Sequence, residues 1–301
     1  MSDPSVVIII LTYNSAPHIR ECFASLAGLD YPNFEIVVVD NASTDETVSL
    51  ARTSVPAPTV LVNDTNLGFA AGNNVGLRYA LSTKADYALI LNDDVLVARD
   101  VLRALVNVAQ AEPQSALLGP QVYHHAAPTV IQSAGGGRTS DWQFFHRGQN
   151  QVDYGQFTQV DRVVWLTGCA MLARCAALPQ IGLFDPDYFM YWEDVDWCLR
   201  ARAKGYEVLF VPAAKVWHKG VQIDYQPNPQ VVYYSVRNEF LLFRKHHAGV
   251  SVTLRAFLRH ARTVTSYTLR PKWRARHQHR DALVRGVYDA LRRQVGPATW
   301  R

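Results

Sequence analysis

Residues 6–14 read VVIIILTYN, residues 34–41 read FEIVVVDN and residues 87–94 read YALILNDD. Each is an aliphatic run that stops abruptly at polar side chains. Runs without polar alternation suit strands buried on both faces, as in a parallel sheet covered by helices. Helical periodicity fills the gaps between them. Ile19, Cys22, Phe23 and Leu26 make one apolar stripe, with Ser15 expected as N-cap and Pro17 in the first turn. Ser43-Thr44-Asp45-Glu46 has the pattern of a capping box for a second helix. A third strand is expected over Thr59–Asn63 and a helix over Asn73–Leu81. Asp100 is expected to cap a helix carrying Leu102, Leu105, Val106 and Ala109. This alternation predicts a doubly wound, mostly parallel α/β sheet, whose ligands bind beyond the carboxyl ends of the strands.

That edge is polar. It carries Thr12-Tyr13-Asn14, Asp40-Asn41 and Asn92-Asp93-Asp94. No G-x-G-x-x-G and no G-K-[ST] follows the first strand, which argues against a dinucleotide dehydrogenase, a P-loop enzyme or a sugar nucleotidyltransferase. Gly68, Gly72 and Gly76 recur every fourth residue and read better as a smooth helix face than as a phosphate cradle. Asp40 can accept the ring N–H of a uracil or thymine, or it can cap the following turn. Asp93 and Asp94 repel each other unless a cation or strong donors compensate. Hard ions such as Mg²⁺ or Mn²⁺ take oxygen ligands and bridge to substrate phosphates. Trp192-Glu193-Asp194-Val195-Asp196-Trp197 interleaves three carboxylates with aromatics just before a helical stretch. Such surroundings raise a carboxylate pKa toward a value useful to a general base, although helix N-termini also favour acids. His218 follows a strand over Val208–Val211; a lone histidine is more often structural than a ligand.

Leu117–Tyr123 and Val163–Ala173 also read as strands. Between them, Trp142, Phe144, Phe145, Tyr154 and Phe157 are candidates either for stacking on a sugar or for a satellite core. Apolar residues make up 49% and charged residues 19%, which excludes a disordered chain. Cys22, Cys169, Cys175 and Cys198 lack metal spacing and read as buried thiols. The apolar run at the start is too short to span a membrane, and a cytoplasmic protein is expected. Residues 1–220 carry 15 Lys+Arg against 22 Asp+Glu, whereas residues 221–301 carry 15 against 4. The expected organisation is a catalytic unit over 1–220 and a basic helical extension over 221–301. The extension suits either an anionic membrane surface, reached peripherally from the inner face, or packing on the body or on a second subunit with its arginine face solvated. No nucleic-acid-binding motif accompanies its charge.

Taken together, Thr12-Tyr13-Asn14, Asp40-Asn41-x-Ser43-x-Asp45, Asn66-x-Gly68-Phe69-x-x-Gly72-Asn73-Asn74, Asn92-Asp93-Asp94, Gly168, Glu193-Asp194-x-Asp196, His218 and Tyr234-x-x-Arg237-Asn238 resemble the inverting glycosyltransferases of family 2. The likeness covers roughly residues 5–245 and is nearest the bacterial rhamnosyltransferase-like subgroup that builds cell-surface polysaccharide. It implies the GT-A fold and a nucleotide-diphosphate sugar donor, dTDP-rhamnose or a UDP-sugar. It also implies a glycan or polyprenyl-linked acceptor and a divalent cation, Mn²⁺ or Mg²⁺. On that basis Asp40 reads the base, and Thr12, Tyr13, Asn14, Asn41, Asn66, Gly68, Asn73, Asn92 and Asp93 lie along the nucleotide sugar. Asp94 and His218 hold the metal; the motif opens with Asn92 where the family's D-x-D has Asp. Asp194 is the catalytic base, with Trp192, Glu193 and Asp196 supporting it or binding the acceptor. A non-catalytic sugar- or nucleotide-binding module is the alternative on the same fold.

Overall fold

The computed structural model describes residues 3–220 and 222–298. Its first half alternates strands and helices as β1 (Val6–Thr12), α1 (Ile19–Leu26), β2 (Phe34–Asp40), α2 (Thr47–Arg52), β3 (Thr59–Val62), α3 (Gly68–Ser82) and β4 (Tyr87–Asn92). Then come β5 (Val95–Val97), α4 (Val101–Ala111), β6 (Ser115–His124), β7 (Ala127–Ser133), β8 (Gly136–Arg138), β9 (Phe144–His146), β10 (Asp161–Arg162) and β11 (Ala170–Arg174). The chain continues through α5 (Leu178–Ile181), α6 (Glu193–Ala203), β12 (Glu207–His218), α7 (Pro229–Lys245), α8 (Val250–Leu269) and α9 (His277–Leu291).

The main sheet runs β10-β12-β6-β11-β4-β1-β2-β3, with β5 paired to β12 and β7 to β6. β3, β2, β1 and β4 are parallel neighbours, while β11 is antiparallel to both β4 and β6. Alternate residues of β1 enter opposite cores. Val7 and Ile9 pack with α3 and α6, and Val6, Ile8 and Ile10 pack with α1 and α4. That two-sided burial is why the run carries no polar alternation.

α3 lies close on β1 because it presents glycine there. A Cβ at Gly76 would sit 2.3 Å from Ile9 Cγ2, and one at Gly72 would sit 2.5 Å from Leu11 Cδ1. Gly72 and Gly76 thus form a smooth helix face, whereas Gly68 opens the helix at φ 79° against Phe189. Gly76→Ala gains about 1 kcal/mol of helix propensity, but overpacking of this kind costs about 1–3 kcal/mol. The clash should win, and a lowered thermal midpoint is the expected readout.

The helix starts differ from expectation. α1 begins at Ile19, and the Ser15 hydroxyl instead accepts Tyr13 N–H at 3.1 Å. The capping box does not form: α2 begins at Thr47, and Asp45 accepts Thr47 N–H at 3.0 Å. α3 begins at Gly68, five residues early, and Asp100 stands at the N-cap of α4 without a side-chain bond to it. Of the expected Val163–Ala173 strand only the part from Ala170 on is regular, as β11, which runs one residue further to Arg174. All four cysteines are buried and free. Beyond residue 220, α7 places Leu241 and Leu242 in the main core, while α8 packs Val252 and Ala256 near Trp142 and α9 packs Ala282 against Tyr233 and Tyr234.

Candidate active site

Register brings the polar ends together. Thr12 pairs with Asp40 and Leu11 with Asn92, so three strand ends share one edge. β11 runs antiparallel beside β4, and Asn92 N–H bonds Cys169 O at 2.9 Å, which sets Gly168 at that edge. β12 pairs antiparallel with β5, His218 opposite Val95, and this lays His218 beside Asp94. The result is a cleft of about 550 Å³ lined by Asn92, Asp94, Gly168, Trp192, Glu193, Asp194 and His218, with aromatic walls from Phe69, Phe144, Trp165 and Tyr191.

Asp194 sits in the first turn of α6. Its Oδ2 accepts Gly168 N–H at 2.9 Å and its Oδ1 accepts Val195 N–H at 2.8 Å. Burial lifts its pKa above the usual carboxylate range, against the pull of those N–H groups. Glu193 is raised further, by burial and then by the neighbouring Asp194 and Asp196 charges, and its Oε2 has no hydrogen-bond partner. Asp196 is placed elsewhere. It is 1% exposed, bonded to Arg200 Nε at 2.7 Å and His246 Nε2 at 2.8 Å, and absent from the cleft wall. It stands there as an ion-pair hub. Burial alone would raise its pKa, but His246 and Arg200 hold it below the usual range.

The backbone before α6 is unusual. Phe189, Tyr191 and Trp192 all have positive φ, at 61°, 65° and 75°. Non-glycine residues there carry strain that the surroundings must over-determine. Trp192 Nε1 donates to Ser235 O at 2.9 Å, and Phe144 meets the Trp192 ring edge-on at 5.5 Å.

Across the cleft, His218 Nε2 lies 3.3 Å from Asp94 Oδ1, and His218 Nδ1 lies 3.1 Å from Gln132 Oε1. A ring that gives its Nδ1 proton to Gln132 turns the Nε2 lone pair toward a carboxylate oxygen. Asp94 Oδ1 has no hydrogen-bond partner. Two acceptors facing each other want a cation between them, and a second-shell acceptor on the histidine is the usual way to fix that tautomer. Gly220 borders the pair: a Cβ there would lie 2.4 Å from Asp94 Oδ2 and 3.3 Å from His218 Nε2. Among the described residues no three His, Cys, Asp or Glu side chains group as a complete metal cage. Two protein donors nevertheless fit an ion that completes its shell from phosphates and water. Burial pushes Asp93 up to about 6.

The residues expected along the nucleotide form a separate network at the same edge. Asp40 is wholly buried; its Oδ1 accepts Thr12 Oγ1 at 2.9 Å and Ser43 Oγ at 2.5 Å, and its Oδ2 accepts Ser43 N–H at 2.8 Å. Asn14 N–H donates to Ser43 Oγ at 2.8 Å, which ties the two loops together. Asn41 Nδ2 donates to Gly68 O at 3.0 Å, and Asn66 Oδ1 accepts Gly68 N–H at 2.8 Å. Asn73 is buried with its Oδ1 unpartnered. Of this set Tyr13, Asn14 and Asn66 are exposed and Asn92 and Asp93 half-buried, while the rest are buried. Of the aromatics between residues 142 and 157, Phe144 lines the cleft, Phe157 packs on Phe210, and Phe145 and Tyr154 are exposed. Gln132 carried no signal in the sequence, since its role depends on β7 pairing beside β12's neighbour β6.

Residues 7–177 match the sequence model of the family described as Glycosyl transferase family 2. The chain is 27% identical, over 93% of its length and 97% of the relative's, to the N-acetylglucosaminyl-diphospho-decaprenol L-rhamnosyltransferase of Mycobacterium tuberculosis (strain ATCC 25618 / H37Rv). It is 25% identical to the dTDP-rhamnosyl transferase RfbF of Shigella flexneri, over 83% of this chain and 84% of that one. Among solved structures, the mannosyltransferase PcManGT from Pyrobaculum calidifontis, in complex with GDP-Man and Mn²⁺, has a TM-score of 0.59 at 20% identity, covering 96% of this chain and 87% of that one. At that identity the likeness is one of fold, and the fold is GT-A. Because the family match spans more than half of the chain, the protein belongs to glycosyl transferase family 2 and is a rhamnosyltransferase-like glycosyltransferase.

Proposed function

We propose that the protein transfers a sugar, with inversion, from dTDP-rhamnose or a UDP-sugar to a polyprenyl-linked or glycan acceptor in cell-surface polysaccharide synthesis. The observation that carries this is one cleft holding a raised-pKa carboxylate, Asp194, together with the Asp94–His218 pair. The names of the rhamnosyltransferase relatives support the donor and the lipid-linked acceptor.

In the proposed reaction the acceptor hydroxyl gives its proton to Asp194 as its oxygen attacks the anomeric carbon. The bond from that carbon to the donor phosphate oxygen breaks on the opposite face, and its electron pair leaves with the nucleoside diphosphate. Gly168 and Val195 N–H groups fix Asp194 in rotamer, so its remaining lone pairs are available to the acceptor. Phe144, Tyr191 and Trp192 exclude water from the attacked carbon. A divalent ion held by Asp94 and His218 would offset charge on the leaving diphosphate. Tyr13 and Asn14 would lie along the nucleotide. Asp40 Oδ2 accepts Ser43 N–H and keeps a lone pair for a base, which its burial would have to open to admit.

A thermal-shift panel with UDP and dTDP, each with Mn²⁺, Mg²⁺ or EDTA, tests the donor site. Ligand at a hundredfold its Kd adds about 2.7 kcal/mol to the folded state. The expected result is a shift with one pyrimidine nucleotide that EDTA abolishes and that Gly220→Ala weakens, since the new methyl intrudes on Asp94. A shift indifferent to EDTA and to Gly220→Ala would remove Asp94 and His218 from the donor site.

A further inference from the structure

α8 is amphipathic in the reverse of the usual sense, with much of its apolar surface turned outward. Its inner face buries only Val252 and Ala256, against Phe243, Phe240 and Trp142, and sends Arg259 and His260 to Glu239 at 2.5 and 2.7 Å. On the opposite side Val250, Leu254, Phe257, Leu258 and Ala261 follow the i, i+4, i+7, i+8, i+11 spacing of a single stripe. Val250 is 85% exposed, Leu254 55% and Leu258 58%. The stripe continues to Leu269 at the helix end. Arg255 and Arg262, two turns apart, run along its border, and Arg270 and Lys272 follow it; all four are exposed. α8 contains no acidic residue. Its one ion pair on this border, Arg255 with Asp141 at 3.0 Å, joins two half-exposed side chains and holds little.

We infer that α8 lies along an anionic bilayer surface, with its apolar stripe at the acyl boundary and its arginines among phosphate headgroups. No helix among the described residues is long and apolar enough to cross a membrane, so the contact is peripheral. An exposed apolar stripe with a cationic border and no acid is the surface that anionic lipid recognises. A second copy of the chain fits it poorly. A two-fold contact through the stripe sets arginine borders of like charge against each other. Placement agrees as well. The inner face of α8 packs on Trp142, Trp142 meets Phe144 edge-on at 6.2 Å, and Phe144 meets Trp192 at the cleft. A helix so joined to the cleft wall would hold the site near an acceptor carried in the bilayer. That purpose rests on the lipid-linked acceptor proposed above; the docking itself does not.

Co-sedimentation of the full chain, without donor or acceptor, tests this. The probes are vesicles of phosphatidylcholine and of equal parts phosphatidylcholine and phosphatidylglycerol. The wild type should pellet with the mixed vesicles and stay in solution with phosphatidylcholine alone. Leu254→Glu/Leu258→Glu should lower partitioning by about tenfold or more. Arg255→Glu/Arg262→Glu should do the same, and raised salt should weaken the wild type. Both pairs are exposed, so thermal midpoints and nucleotide-induced shifts should match wild type, which separates lost docking from lost folding. Failure of the wild type to pellet on anionic vesicles, or equal pelleting by both variants, would overturn the inference. So would a dimer by light scattering that Leu254→Glu/Leu258→Glu dissociates, since the stripe would then be a self-interface. Asp194→Asn should pellet like wild type whether or not transfer proceeds as proposed, so the two readings fail separately.

Discussion

Asp194→Asn should lower the turnover number by roughly 10²–10⁴, the usual contribution of a positioned general base. An amide cannot take the acceptor proton. Two structural effects of the change oppose each other. One amide edge must now present N–H toward Gly168 N or Val195 N, where the carboxylate accepted both; an unmet buried donor costs about 1–3 kcal/mol. Against that, removing the Asp194 charge relieves Glu193, whose pKa that charge helps to raise. The fold should therefore survive, and the nucleotide-induced thermal shift should persist. The pH profile separates chemistry from stability. With its pKa above the usual carboxylate range, Asp194 becomes a base only as pH rises through that value. Wild-type kcat/KM should climb along this acid limb, and the variant's residual rate should lack it. Near-normal turnover in Asp194→Asn, with the limb intact, would move the base elsewhere, Glu193 being the next carboxylate in the cleft.

The parts of this molecule legible in its sequence are those governed by local periodicity. β1 and β4, and β2 from Ile36 on, stand out because burial on both faces leaves no polar residue inside the run, and their polar ends mark the ligand edge. The helix starts differ because Ser43 and Asp45 accept long-range bonds from Asn14 and Ala16 N–H, while the Ser15 hydroxyl turns back to Tyr13 N–H. Asp194 and Asp196 part for a geometric reason. Because α6 begins at Glu193, residues two apart point about 200° from each other. Asp194 faces the cleft while Asp196 turns to Arg200 and His246. The family likeness named Asp94 and His218, but their contact is made by the β5–β12 pairing across more than a hundred residues. No local pattern reports such a pairing, and Gln132 behind the histidine was invisible for the same reason.

The Arg237-Asn238 pair, noted in the sequence only as a motif near the end of the family likeness, is where tertiary structure supplies a role. Both side chains are buried in α7, 1% and 0% exposed. Asn238 Nδ2 donates to Tyr188 O at 2.8 Å, Met190 O at 2.8 Å and Tyr191 O at 3.0 Å. Arg237 orients that amide through Asn238 Oδ1 at 2.9 Å and adds its own bond to Tyr188 O at 3.1 Å. The carbonyls they gather belong to the segment with positive φ at Phe189, Tyr191 and Trp192, which leads directly into Glu193 and Asp194. Each such residue costs about 1–3 kcal/mol, so without the clasp the segment should relax. Asn238→Ala should destabilise the fold by about 2–4 kcal/mol, because the Met190 and Tyr191 carbonyls lose this donor while Tyr188 O keeps Arg237. Measured well below the variant's own melting range, it should also lose about 10²-fold in kcat, the order expected when a base is misplaced by about an ångström. Nucleotide affinity should change little, since neither residue lines the cleft. Asn238→Asp isolates the donor: it keeps the shape and the Arg237 contact but turns an acceptor toward three carbonyls, so it should do no better than alanine. A folded Asn238→Ala with wild-type kcat would mean that the strained turn holds its form unaided and that α7 contributes stability alone.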